Sequence, residues 1–146
     1  MDWKKAAVED LRNYERRRDS LTNIKDRIGA LKEHYASIKC SLGSDTVAVQ
    51  GGGSRIEDRM LSNIVERQRL AHTYNATKRL VELTDRGLEG LDRRERRVLE
   101  LFYIAPAKGN VERLKDELGY EERQIYRVKD EALYEFTIRE YGLVDY

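Results

Sequence analysis

From Ala7 to Leu42 the chain repeats an apolar residue every seven positions: Ala7, Tyr14, Leu21, Ile28, Tyr35 and Leu42 at one place in the repeat, Ile24, Leu31 and Ile38 at the other. This spacing lays a narrow apolar stripe along one side of a helix, the signature of coiled-coil packing. A helix of about 40 residues extends about 60 Å. Such a rod cannot bury its own stripe, so it needs a partner helix. Asp10 and Arg17 interrupt the stripe near its start, so the tightest packing is expected from Leu21 onward. Leu21, Ile24, Ile28, Leu31, Tyr35 and Ile38 are the expected oligomerisation residues, with a homodimer as the favoured assembly.

Small, polar and glycine residues break the pattern between Ser44 and Gly53, which reads as a connector covering 43–53. Ser54 and Glu57 then have capping-box spacing. Apolar residues resume at Ile56, Met60, Ile64, Ala71, Tyr74, Val81 and Leu88. Two arms of similar length joined by a loop predict an antiparallel helical hairpin over 1–88. Gly87 and Gly90 mark the expected hinge to a second domain, 89–146.

That second domain reads as three short helices. Asp92 and Glu95 form an Asp-type capping box ahead of Val98, Leu99, Leu101 and Phe102 at helical spacing. Pro106 and Gly109 end this helix. Asn110 is the expected cap of a helix carrying Val111, Leu114 and Leu118 on one face, and Gly119 suits the left-handed position after its end. A third helix begins near Glu121 or Glu122, with Ile125, Val128, Ala132, Leu133 and Phe136 turned inward. Two helices joined by a tight turn at Gly119 make a helix-turn-helix pattern, whose second helix enters the DNA major groove in proteins that use it. The fold class is therefore all-α, a long helical hairpin followed by a small helix-turn-helix domain.

At these residues the chain resembles region four of bacterial sigma factors: Leu91, Arg94-Glu95-Arg96, Val98-Leu99 and Tyr103, Leu118-Gly119 at the turn, then Arg123, Ile125, Val128, Ala132 and Leu133. Together with the Gly51-Gly52-Gly53-Ser54 loop and the helices around it, the whole chain is similar to the ArpU and RinA type of late-gene transcriptional activators encoded by phages of Gram-positive bacteria. The resemblance implies a sequence-specific regulator that binds double-stranded DNA at promoters and contacts host RNA polymerase. The class alternatives are a DNA-packaging subunit of small-terminase type, and a module that grips RNA polymerase or a sigma factor without touching DNA.

The residues themselves nominate the surface. With Ile125 inward, the 100° step per residue puts Arg123, Arg127, Asp130 and Tyr134 on the opposite face, flanked by Gln124 and Tyr126. Arginine can read guanine and glutamine adenine through paired hydrogen bonds. Arg93, Arg94 and Arg97 at the start of the first supporting helix are candidates for phosphate contact. Arg96 has the alternative of pairing with Glu100 at i, i+4 spacing.

Charge works against a strong grip on phosphates. Residues 1–90 carry 17 basic and 14 acidic side chains, whereas residues 91–146 carry 11 and 13, so the presumed DNA-binding part is the more acidic. Nonspecific affinity comes largely from Lys and Arg on phosphates, so modest affinity is expected. Glu121 and Glu122 at the start of the recognition helix suit a helix N-terminus but face approaching phosphates.

No enzyme is expected. His34 and His72 fall in separate arms without metal-ligand spacing, and the glycine run lacks the Lys-Ser/Thr pair of a phosphate loop, so no metal or cofactor is implied. The single Cys40 reads as a small apolar residue. No run approaches the roughly 18 apolar residues that span a membrane, which makes the bacterial host cytoplasm the expected location.

Overall fold

The structure, a computed structural model, describes residues 2–44 and 52–142. Among them every regular element is helical, so the fold class is all-α. The elements are α1 (Trp3–Ser44), α2 (Gly52–Glu89), α3 (Arg93–Leu99), a π-helical stretch (Glu100–Ile104), α4 (Asn110–Leu118) and α5 (Glu122–Tyr141). No helix among the described residues is long and apolar enough to cross a membrane.

The chain divides into two compact units, Met1–Arg18 with Arg79–Tyr146, and Asp19–Lys78. The boundary expected at 88/89 is thereby replaced, because α1 and α2 each contribute to both units.

In the Asp19–Lys78 unit the two long helices pair antiparallel. Asn63 donates from Nδ2 to the Leu31 carbonyl at 2.8 Å and accepts from Arg67 Nε at 2.9 Å. Arg27 lies 3.7 Å from Glu66, and the Arg67 guanidinium lies 5.0 Å from the centre of the Tyr35 ring. Ile24, Ile38 and Leu70 are buried between them, while Leu21, Ile28, Leu31 and Tyr35 are half-buried. The stripe of α1 is thus already covered in part by α2 of the same chain.

Burial along α2 corrects the expected seam. A regular set of covered positions is Ile56, Asn63, Leu70, Thr77 and Thr84 at one place in the heptad and Met60, Arg67, Tyr74, Val81 and Leu88 at the other, with Ile64 half-buried beside them. Ala71, expected on the inner face, is exposed. The repeat is regular, but polar residues fill several of its inner positions. The helix also begins at Gly52, ahead of Ser54, so Ser54 lies within it. Residues 45–51 of the expected connector lie outside the described residues. Cys40 is exposed.

The other unit has two apolar centres. In the first, Ala7 and Leu11 of α1 meet Leu91, Leu99, Ala132, Leu133 and Phe136, with Val8, Leu88, Tyr103, Ile104 and Tyr141 around them. In the second, Val98, Leu101, Leu114 and Ile125 are buried together, flanked by Phe102, Val111, Leu118, Tyr120 and Val128. Gly87 is not a hinge. It lies buried inside α2, where a β-carbon would come within 2.6 Å of Cε2 of Phe136, so its missing side chain lets the ring approach the helix backbone.

Local signals near α3 act as the sequence suggests. Asp92 accepts from the Glu95 amide at 2.9 Å, and Glu95 accepts in return from the Asp92 amide at 3.3 Å. The bond from the Glu95 backbone amide is the main cause that holds the Asp92 carboxyl below its ordinary value. The helix then changes pitch. The Ala105 amide donates to the Glu100 carbonyl at 2.8 Å, five residues back, which buries Leu101 and leaves Phe102, Tyr103 and Ile104 half-buried. Asn110, expected as a cap, is instead the first residue of α4, preceded by Gly109. Its side chain donates to the Leu101 carbonyl at 3.3 Å.

Candidate nucleic-acid interface

Helices α4 and α5 are separated by Gly119, Tyr120 and Glu121. Gly119 has φ +69°, the left-handed conformation that glycine adopts without a steric cost, and its amide donates to the Lys115 carbonyl at 2.9 Å. This ends α4 and turns the chain into α5, whose first residue is Glu122. Ile125 then enters the second apolar centre with no exposed surface.

That burial sets the phase of α5. Arg123, Gln124, Tyr126, Arg127, Asp130 and Tyr134 are all exposed, as the 100° step requires. Arg127 reaches Glu131 at 3.5 Å, but both side chains are more than three-fifths exposed, so this pair is weak and easily exchanged for another partner. Tyr126 is less free. Its ring meets Phe102 edge-on at 5.8 Å, and Lys129 Nζ lies 5.1 Å from its centre.

The arginines of α3 separate into different tasks. Arg97 donates from Nε and Nη2 to both carboxylate oxygens of Glu117, each at 2.8 Å, and from Nη1 to Glu100 at 3.1 Å. The bidentate pair clamps α3 to α4, with the Arg97 hydrogen bonds drawing the Glu117 carboxyl down to about 2. This gives Arg97 a structural task beside the phosphate contact expected of it. Arg96 does not pair with Glu100. It donates to the carbonyls of Leu91 and Glu89 at 3.2 Å each, closing the end of α2. Arg94 donates to the Tyr120 hydroxyl and lies 3.5 Å from Asp92. Arg93 is exposed.

Between the start of α3 and the outer face of α5 lies an open concavity of about 1420 Å³. It brings together Arg94, Arg123, Gln124, Tyr126, Arg127 and Tyr134 of the expected site, whereas Arg93 and Arg97 border a separate depression on the other side of α3. Sequence reasoning placed Asp130 and Glu121 on this surface but missed Asp92, Glu95, Glu131 and Glu135 as parts of the lining. Three arginines there face six carboxylates, from Asp92, Glu95, Glu121, Asp130, Glu131 and Glu135. The acidic balance of residues 91–146 was the signal that could have found them. The basic groups are concentrated toward the beginning of α5 and the acidic ones toward its middle.

Comparison with known protein families, characterised proteins and solved structures found no match to this chain.

Proposed function

We propose that this protein is a sequence-specific DNA-binding regulator of transcription, in which α5 enters the major groove with its first turns and acts at promoters together with host RNA polymerase. The observation that supports this reading best is the full burial of Ile125 directly after the Gly119 turn, which leaves Arg123, Gln124 and Arg127 on one outward face. A helix so presented can offer paired hydrogen bonds to base edges. Arg93, Arg94 and Arg97 are the candidates for phosphate contact, Arg97 already holding Glu117. With so few, binding would be modest and only shallowly dependent on salt.

The test is selection of bound fragments from random and genomic DNA, followed by anisotropy titrations of the best site. Arg127→Ala should weaken binding to that site by about 1 to 3 kcal/mol and relax preference at one base pair. Arg123→Ala should do so to a lesser degree. Wild-type affinity and preference in both variants would refute the assignment.

One observation favours a second reading. Six carboxylates around the same concavity repel phosphates and attract a basic protein surface, as on a polymerase subunit or a sigma factor. Capture of polymerase with no retardation of any DNA would select that reading.

A further inference from the structure

The end of α5 hides a carboxyl group with no obvious reason to be there. Glu140 retains only 2% of its surface, and neither side-chain oxygen receives a hydrogen bond from any N–H or hydroxyl donor among the described residues. An ionised carboxylate in that position would be strongly disfavoured. The group beside it is another acid, Asp10 of α1, itself 7% exposed. Asp10 is well supplied. Arg17 Nη1 donates to Oδ1 at 2.8 Å, and the Tyr141 hydroxyl donates to Oδ2.

Two facing carboxyls can satisfy one another if a single proton lies between them. We propose that Asp10 and Glu140 share one proton, and that this pair is a proton-dependent latch fastening the start of α1 to the end of α5. Glu140 supplies the proton and Asp10 accepts it.

The charged and titratable groups facing Glu140 assign these roles. From α1 come Asp10 and Arg17, from α2 Arg86, and from α5 itself Tyr141. Arg86 is directed to the Glu140 backbone carbonyl at 3.1 Å and not to its carboxyl. Arg17 and Tyr141 bond Asp10. Burial, followed by the neighbouring Asp10, pushes the Glu140 carboxyl up to about 9. Burial also works against an ionised Asp10, but the hydrogen bonds from Glu140, Arg17 and Tyr141 outweigh it and hold that carboxyl below its ordinary value.

The sign of the linkage follows. The folded unit keeps a proton that the unfolded chain releases above the ordinary glutamate value of 4.5, so stability declines as pH rises from there to about 9. The Asp10 contribution runs the other way and is lost only as pH falls below 3.8. At neutral pH the latch is closed; in alkali it opens, releasing residues 1–18 from α5.

Trp3 reports on this directly. It is the chain's one tryptophan, and its ring centre lies 5.1 Å from that of Tyr141, the residue next to Glu140. In the full-length protein, tryptophan emission should stay constant around neutrality and shift in a one-proton transition centred near 9. Glu140→Gln keeps the shape and donates an amide N–H to Asp10 without a titrating proton, so the transition should vanish. Carbon NMR of glutamate carboxyls in the wild type should show one that is still protonated at neutral pH, and Asp10→Asn should lower its midpoint. If every glutamate carboxyl ionises in the ordinary range, or if Glu140→Gln leaves the emission transition unchanged, the latch does not exist.

Discussion

Leu11→Ala is the sharpest test of how this chain is divided. Leu11 lies on α1, more than 60 residues before the nearest other segment of its unit, yet it has no exposed surface and packs in the centre formed by Leu91, Leu99, Leu133 and Phe136. The substitution removes three carbon atoms. At about 0.8 kcal/mol per buried methylene, the lost transfer energy alone is about 2.4 kcal/mol. Surroundings built from α1, α3 and α5 cannot close fully over the gap, and the residual cavity raises the total into the range of about 3 to 5 kcal/mol. For a unit of this size each kcal/mol lowers the thermal midpoint by about 4 to 8 °C, so a fall of at least 10 °C is expected. Far-UV circular dichroism during heating measures it, and near-UV signal from the tyrosines of the C-terminal helices assigns the loss to this unit. A midpoint within 2 °C or so of the wild type would mean that α1 is not part of the core. Stable folding of an isolated 89–146 fragment would refute the division just as well.

Gly87→Ala should destabilise the same unit: the new methyl group collides with the buried Phe136 ring, an overpacking cost of about 1 to 3 kcal/mol, against a helix-propensity gain of about 1, and a raised midpoint by calorimetry would count against this contact. Asn63→Leu should raise the midpoint of the paired arms while weakening their register, because the bond to the Leu31 carbonyl is replaced by apolar packing; a lower midpoint would show that the hydrogen bond is worth more than burial. Arg97→Ala should loosen α3 from α4, and the pH dependence identifies the cause. Since Glu117 is depressed from 4.5 to about 2, the clamp is fully present above 4.5 and is lost as pH falls toward 2, so wild type and variant should converge in acid; a constant difference would exclude the ion pair as its source. Ile28 and Leu31 replaced together by Asp should unravel the paired arms, and sedimentation of the wild type decides whether their stripe also joins a second copy.

What could be read from the sequence was mostly local. The Asp92–Glu95 box, the Gly119 turn and the phase of α5 around Ile125 each depend on residues a few positions apart, and the structure has all three. Along α2 hydrophobicity alone does not mark the inner face. Asn63, Arg67, Thr77 and Thr84 hold inner positions without being apolar, so Ala71 drew the assignment away from the true face. The contribution of Ala7 and Leu11 to the C-terminal core left no local trace at all, since their partners lie 80 or more residues away. In the candidate interface the basic residues stood out individually, and so did Asp130 and Glu121, whereas Asp92, Glu95, Glu131 and Glu135 registered only as a net charge. Their gathering around one concavity depends on the packing of α3 against α5.

The discontinuous unit also imposes an order on events at the ribosome. Asp19–Lys78 is a continuous stretch whose two segments can pair as soon as both have been made, because they follow each other closely in sequence. Residues 2–18 precede the rest of their unit by some 60 residues, and their set of apolar partners is complete only after α5 has been synthesised. Until then Ala7 and Leu11 are uncovered, a waiting time of several seconds at ordinary elongation rates of about 5 to 20 residues per second. A chain that stops before α5 would leave that face permanently bare and marked for chaperones and proteases, so the first segment of this unit inspects the completion of its last.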